Sequence, residues 1–250
     1  MLKLLTETLP DVPDDTPFGC KIRSAAAAYG LHEPFEQFWV QDGGTVLAKI
    51  DNEAVLAEGE RMDAEELRAF LHTLDLNQIS CTAETAEHLS LPVSSCGEIM
   101  VLHPERASHG TYADVKMNPG PREIYALLEQ AESETFPVPE FEPFYMDLSF
   151  RTRHGAALSA GVYQGERLAA CAVCTAMTKH AAVISAVVCV PGLRRRGYGR
   201  TAVVALAEKL NRENVFIFCA KGENEEFYRF LGFEHYGEWA ACSRTQGPTV

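Results

Sequence analysis

Residues 187 to 200 of this chain of 250 residues read Val-Val-Cys-Val-Pro-Gly-Leu-Arg-Arg-Arg-Gly-Tyr-Gly-Arg. A β-branched run ends at Pro191, three arginines and two glycines follow, and a helical pattern (Thr201, Ala202, Val203, Leu206, Leu210) starts near Gly199. The spacing predicts a strand that delivers the backbone into a glycine-rich turn at a helix N-terminus. The unpaired amides of a first helical turn and the positive end of the helix dipole make such a junction an anion site. Gly197 and Gly199 carry no Cβ to hold a phosphate off the main chain. The chemistry expected here is the binding of a phosphate-bearing ligand by main-chain amides and by Arg194, Arg195, Arg196 and Arg200.

The elements around this turn form a series. A helix is expected after Pro119-Gly-Pro121, then a shorter helical or irregular stretch from Phe141 to Phe150. Strands follow near 156–163, 167–177 and 181–190, then the arginine turn, a helix over 199–211, a strand Val215–Cys219, a helix Glu223–Leu231 and a strand Phe233–Ala240. The first half repeats this order in shorter form. Strands are expected near 36–41, 45–50 and 54–58, then a helix over 64–74 with Leu67, Phe70, Leu71 and Leu74 on one face. A strand Gln78–Thr82, a short helix 84–90 and a strand Glu98–His103 complete it. Two copies of one βββ-α-β-α-β module are the simplest account: residues 1–110, a linker at 111–118, and residues 119–250.

The copies differ where it matters. The first has Glu58-Gly-Glu60-Arg-Met-Asp63-Ala-Glu65-Glu66 in place of the arginine turn. Asp63 is the expected N-cap and Glu66 its capping-box partner. Carboxylates at a helix N-terminus occupy the dipole and repel phosphate, so only the second copy is expected to hold an anionic ligand.

With these elements in sequence, residues 119–250 resemble the GNAT superfamily of N-acetyltransferases. Arg194, Gly197 and Gly199, led in by Val190-Pro191, match the family's Arg/Gln-x-x-Gly-x-Gly/Ala signature. Tyr228-Arg-Phe-Leu-Gly-Phe233, preceded by Asn224, is similar to its closing Tyr-x-x-x-Gly-Phe segment. The first half matches neither motif, and its likeness rests on element order. The fold expected is α/β (α+β): tandem GNAT-like mixed sheets flanked by helices, the C-terminal copy intact and the N-terminal copy degenerate.

The resemblance implies acetyl-CoA as co-substrate, with its pyrophosphate on Arg195, Arg196, Gly197, Tyr198, Gly199 and Arg200. It implies pantetheine bonded to the main chain of Val188, Cys189 and Val190, one of these amides also polarising the thioester carbonyl. Asn224 would bond the cofactor arm. Tyr228, four residues on and expected on the same helical face, would protonate the leaving thiolate, since an unperturbed phenol titrates at about 10. The reaction implied is acyl transfer directly to a primary amine. Cys189 is the covalent alternative, but no histidine accompanies it in sequence. Many relatives place a carboxylate on the strand before the turn. Here that strand, Ala181 to Val190, has none, so no general base is assigned and Glu142 and Asp147 are only examples of acids elsewhere. The alternative reading is a catalytically silent CoA-binding regulatory or interaction protein.

Composition bounds the rest. The formal charge of −13 argues against nucleic acid, which needs a cationic footprint. Residues 1–118 carry 8 Lys/Arg against 20 Asp/Glu, and residues 119–250 carry 14 against 15, so the first half is the acidic one and a cationic acceptor is expected. No apolar run approaches the roughly 20 residues of a membrane span, no secretory signal opens the chain, and a cytoplasmic location is expected. The 8 cysteines and 8 histidines show no metal-ligand spacing. Cys171 and Cys174 form a CxxC on a predicted strand, where i and i+3 face opposite sides. No metal and no oligomer are indicated.

Overall fold

The computed structural model describes residues 1–103, 115–133 and 136–243. They form two compact units. The first comprises Met1–Ile99, Phe218–Asn224 and the strand after Glu234. The second comprises the described residues of Met100–Ile217 and Glu225–Glu234. No helix among the described residues is long and apolar enough to cross a membrane.

The first unit contains β1 (Lys3–Leu4), α1 (Pro17–Tyr29), β2 (Glu36–Val40), β3 (Val46–Ile50), β4 (Glu53–Ala57), α2 (Ala64–Leu71), β5 (Gln78–Thr82), α3 (Ala83–His88) and the start of β6 (Val93–Leu102). Its strand order is β1-β2-β3-β4-β5-β12-β6, where β12 is Glu234–Ser243. Alternation along the strands sends neighbours to opposite faces. Trp39, Leu47, Leu56, Ile79 and Cys81 pack with Leu67 and Leu71 of α2 and Ala86 of α3. Phe38, Val46 and Ala48 pack with Ile22 and Ala25 of α1. The sequence reading lacked α1, whose Ala25–Ala28 run has no clear period. Its boundary residues are nonetheless ordinary: Thr16 accepts from the Gly19 amide, Pro17 opens the first turn, and Gly30 ends the helix at φ 88°.

The second unit contains β7 (Val115–Met117), α4 (Pro121–Glu129), α5 (Phe141–Arg153), β8 (Leu158–Gln164), β9 (Arg167–Met177), β10 (Ala181–Cys189), α6 (Tyr198–Leu210), the start of β11 (Asn214–Ala220), and α7 (Glu225–Phe230). Its order is β11-β10-β9-β8-β7. Ile124, Leu127 and Leu128 of α4 and Leu148 of α5 pack on Cys171, Val173, Val188 and Val190. Helix α6 lies over β8, β9 and β10, burying Ala202, Val203, Leu206 and Leu210. Ala170, Ala172 and Cys174 alternate with Cys171 and Val173 on β9, so small residues lie on the opposite face of that strand.

The division is not a single cut near residue 110. Strand β12 pairs antiparallel with β5, Trp239↔Thr82 through Ser243↔Gln78, so the last strand of the second series completes the first sheet. Residues 111–114 of the expected linker lie outside the described residues, and 115–117 form β7, paired with β8.

Candidate active site

The site is built where two strands part. Strands β10 and β11 pair in parallel from Ala181↔Asn214 to Ile184↔Ile217. Strand β10 then continues to Cys189 with β9 alongside it, through Cys189↔Ala170. Among the described residues its other edge has no strand partner from Ser185 onward. An unpaired strand edge presents a row of main-chain donors and acceptors.

Residues on that edge alternate. The Val190 amide donates to Ala169 O at 2.9 Å, and the Val190 carbonyl accepts from Leu193 N at 2.8 Å. Counting back by two, Val188 also faces β9, and its side chain is buried in the α4–α5 core. The open edge is therefore made by the main chain of Val187 and Cys189. Of the three expected main-chain ligands, Cys189 is on that edge and Val188 and Val190 are not. Val187 was missed because sequence alone does not fix which residues of a strand bond to which neighbour.

The half-buried Cys189 thiol donates to its neighbour's carbonyl, Val190 O, at 3.6 Å. Burial raises its pKa, and Arg194 only partly opposes this, so it is a poor candidate for a thiolate nucleophile. Burial pushes the thiols of Cys171 and Cys174 up to about 12, as befits core positions. Among the described residues no group of three potential metal ligands occurs.

Beyond Val190 the chain makes one turn of 3-10 helix, Pro191–Leu193. Arg195 takes a left-handed φ of 62°, and Gly197 caps α6 at φ 88°. A glycine cap has no side chain to offer, and the first turn of α6 holds no acid. The first intrahelical bond is Thr201 N to Gly197 O, 2.9 Å, so the helix itself offers no acceptor to the amides of Tyr198 and Gly199. Arg194, Arg195 and Arg196 are exposed around them. The Arg200 guanidinium sits 5.3 Å from the centre of the Phe230 ring.

The matching junction in the first unit is closed. Gly59 N donates to Thr45 Oγ1 at 3.1 Å, and Arg61 N to Gly43 O at 3.2 Å. Asp63 N donates to Gln41 Oε1 at 2.9 Å, and Glu66 N to Asp63 Oδ1 at 3.0 Å. The turn before α2 is thus bonded within the protein, and the Asp63 carboxylate takes the Glu66 amide of the first helical turn.

Tyr228 is buried at 8% exposure. Its ring meets Phe227 and Phe233 edge-on, with centroids 5.0 and 5.6 Å away, which fixes its orientation. Asn224 does not share a helical face with it. It has a left-handed φ of 58° and stands one residue before α7, in the first unit, whereas Tyr228 is in the second. Both acids named as examples are on α5. Glu142 is exposed in its first turn, and Asp147 accepts from Arg151 Nε at 2.7 Å.

Residues 122–233 match the model of the acetyltransferase (GNAT) family. The C-terminal half of the chain is a GNAT domain. Over the whole chain the fold is similar to that of a GCN5-related N-acetyltransferase from Kribbella flavida, with TM-score 0.62, 18% identity, and 92% of this chain and 97% of that chain covered. It is similar to a tandem GNAT protein from the clavulanic acid biosynthesis pathway, with TM-score 0.58, 15% identity and 100% of each chain covered. It is also similar to a GCN5-related N-acetyltransferase from Sphaerobacter thermophilus, with TM-score 0.57, 15% identity, and 94% and 96% covered. At these identities the likeness is one of fold. No curated protein matches. The GNAT family match begins at residue 122, and residues before it share the likeness through the tandem fold.

Proposed function

We propose that the chain is an acetyl-CoA-dependent N-acetyltransferase, located in the cytoplasm, that acylates a primary amine of a small or peptidic, cationic acceptor. The observation that carries this reading is the continuity of the open β10 edge at Val187 and Cys189 with the glycine-capped, acid-free N-terminus of α6. An extended arm bearing amides suits the edge, and a pyrophosphate suits the amides of Tyr198 and Gly199 with the side chains of Arg195, Arg196 and Arg200. Together they describe CoA rather than a free phosphate.

In the proposed reaction the neutral amine attacks the thioester carbonyl, whose developing negative charge is held by a main-chain amide of the β10 edge. The C–S bond then breaks. Tyr228 donates its phenolic proton to the departing thiolate, and the proton lost by the nitrogen passes to water. The products are an amide and the free CoA thiol, with no acyl-enzyme. The acidic first half supports a cationic acceptor through its field.

Thiol release measured over a panel of amines tests this. Turnover that rises with acceptor positive charge and falls with ionic strength supports the full reading. The lack of a carboxylate on Ala181–Val190 favours a second reading, a CoA-binding protein without transfer. Saturable CoA binding by calorimetry with no turnover on any amine is the result that selects it.

A further inference from the structure

We propose that Ser185, Thr175 and Arg151 form a clamp that sets where β10 parts from β11, and so positions the edge that holds the cofactor. The proposal rests on the reading of that edge as the CoA-binding strand. These are positioning residues, acting through the main chain of Val187 and Cys189.

The β9–β10 ladder is regular except at one place. Val183 faces Ala176, but Ile184 faces Cys174 and Ala186 faces Val173. Thr175 on β9 and Ser185 on β10 are thus each displaced from the ladder. The two shifts cancel, since Val183↔Ala176 and Ala186↔Val173 lie in the same register, and they leave a local bulge-like break with one unpaired residue on each strand. Its position is telling, because Ile184 is also the last residue of β10 paired with β11. The bulge and the parting of the strands coincide.

The main chain that the bulge frees is caught by side chains. Thr175 N donates to Ser185 Oγ at 3.3 Å, and the two hydroxyls lie 2.5 Å apart. Thr175 O accepts from Arg151 Nη1 at 3.1 Å. Arg151 is only 7% exposed, and its Nε donates to Asp147 Oδ1 at 2.7 Å. A guanidinium buried to this degree is costly unless its donors are matched. Here one carboxylate and one displaced carbonyl serve it. Helix α5 is thereby tied to the bulge, and the direction of Ala186–Cys189 follows from that tie.

A bulge that merely relieves twist would need no such partners, and removing a hydroxyl at exposed Ser185 would then change little. The clamp predicts otherwise. Calorimetry and steady-state kinetics on full-length Ser185→Ala and Thr175→Val should show CoA affinity lowered about threefold to tenfold each, the range of one or two lost hydrogen bonds. The KM for acetyl-CoA should rise and the KM for the amine should stay as in the wild type. Ser185→Thr, which keeps the hydroxyl, should restore affinity. Hydrogen exchange at Ala186–Cys189 should quicken in free Ser185→Ala. Arg151→Lys should behave as Ser185→Ala does, and should it fail to fold, Ser185→Ala alone decides. Wild-type CoA affinity and exchange in folded Ser185→Ala would overturn the proposal. A wild-type chain that binds no CoA would instead sink the cofactor reading, and the exchange comparison would still tell whether the clamp holds the strand.

Discussion

Gln41 holds Asp63 from both sides: its Nε2 donates to Asp63 O at 2.9 Å, and its Oε1 accepts from Asp63 N at 2.9 Å. The same Nε2 reaches Glu66 Oε2 at 2.9 Å, and Gln41 is 3% exposed. One buried side-chain amide therefore fixes the N-cap residue of α2, and the Asp63 carboxylate in turn takes the Glu66 amide. Gly43 and Gly59 make this possible. A Cβ on Gly59 would come within 2.3 Å of Gly44 C, so the two loops meet backbone to backbone.

The first prediction concerns stoichiometry and stability. With the first junction sealed, calorimetry should return one CoA per chain. Gln41→Leu should cost about 1–3 kcal/mol by orphaning the Asp63 main chain, lowering Tm by about 2–4 °C per kcal/mol. It should leave the stoichiometry at one. Two CoA molecules bound by the wild type would contradict the sealed junction.

The arginine turn yields a second prediction. Arg195 and Arg196 are exposed, so Arg195→Ala with Arg196→Ala should barely move Tm. Loss of charge-assisted bonds to pyrophosphate should raise the Kd for CoA about tenfold or more. It should also flatten the dependence of that Kd on salt. An unchanged Kd would mean that the turn is only a solvated basic surface.

Much of this was legible in the sequence, and the failures have a pattern. Strand–turn–helix order, the Gly197 and Gly199 turn and the acidic start of α2 depend on local residue types, and these agree with the structure. What depends on pairing was not legible. No residue type announces that β12 crosses to β5 or that Val187 rather than Val188 faces the open edge, because both follow from register. Asn224 lies just outside the helix, which begins at Glu225, because the boundaries of so short a helix are set by capping geometry rather than by period.

The two glycines of the turn should behave differently. Gly197 has φ +88° with open space around it, whereas a Cβ on Gly199 would meet Phe227 Cζ at an ordinary 3.8 Å. Gly197→Ala should cost about 1–2 kcal/mol of stability from the left-handed backbone alone. Gly199→Ala should leave Tm nearly unchanged and still weaken CoA, because the new methyl group crowds the approaching phosphate. Chemical denaturation paired with calorimetry separates the effects, and equal CoA affinity in Gly199→Ala would count against main-chain phosphate binding there.

Alkaline stability follows from the buried thiols of β9. Burial pushes the Cys171 and Cys174 thiols up to about 12, well above the ordinary range of a cysteine thiol. A raised folded pKa favours the protonated, folded form. Their contribution is therefore complete below about pH 9 and is lost as pH rises from there through about 12. Thermal melts from neutral pH to about pH 10.5 should fall more steeply in the wild type than in Cys171→Ala with Cys174→Ala. Parallel curves would show that other groups govern the alkaline limb.

Tyr228→Phe tests the chemistry most directly. The ring packs between Phe227 and Phe233, and phenylalanine keeps those edge contacts, so Tm should change little. Without the hydroxyl the thiolate leaves unprotonated, and kcat should fall about 100-fold, the lower range for a lost general acid. The KM for acetyl-CoA should hold, since the main-chain and arginine contacts proposed for the cofactor are elsewhere. The alkaline limb of the kcat profile should also disappear if it reports the phenol. Equal losses in kcat and CoA affinity would make Tyr228 a binding residue, and an unchanged kcat would return it to the core from which its burial comes.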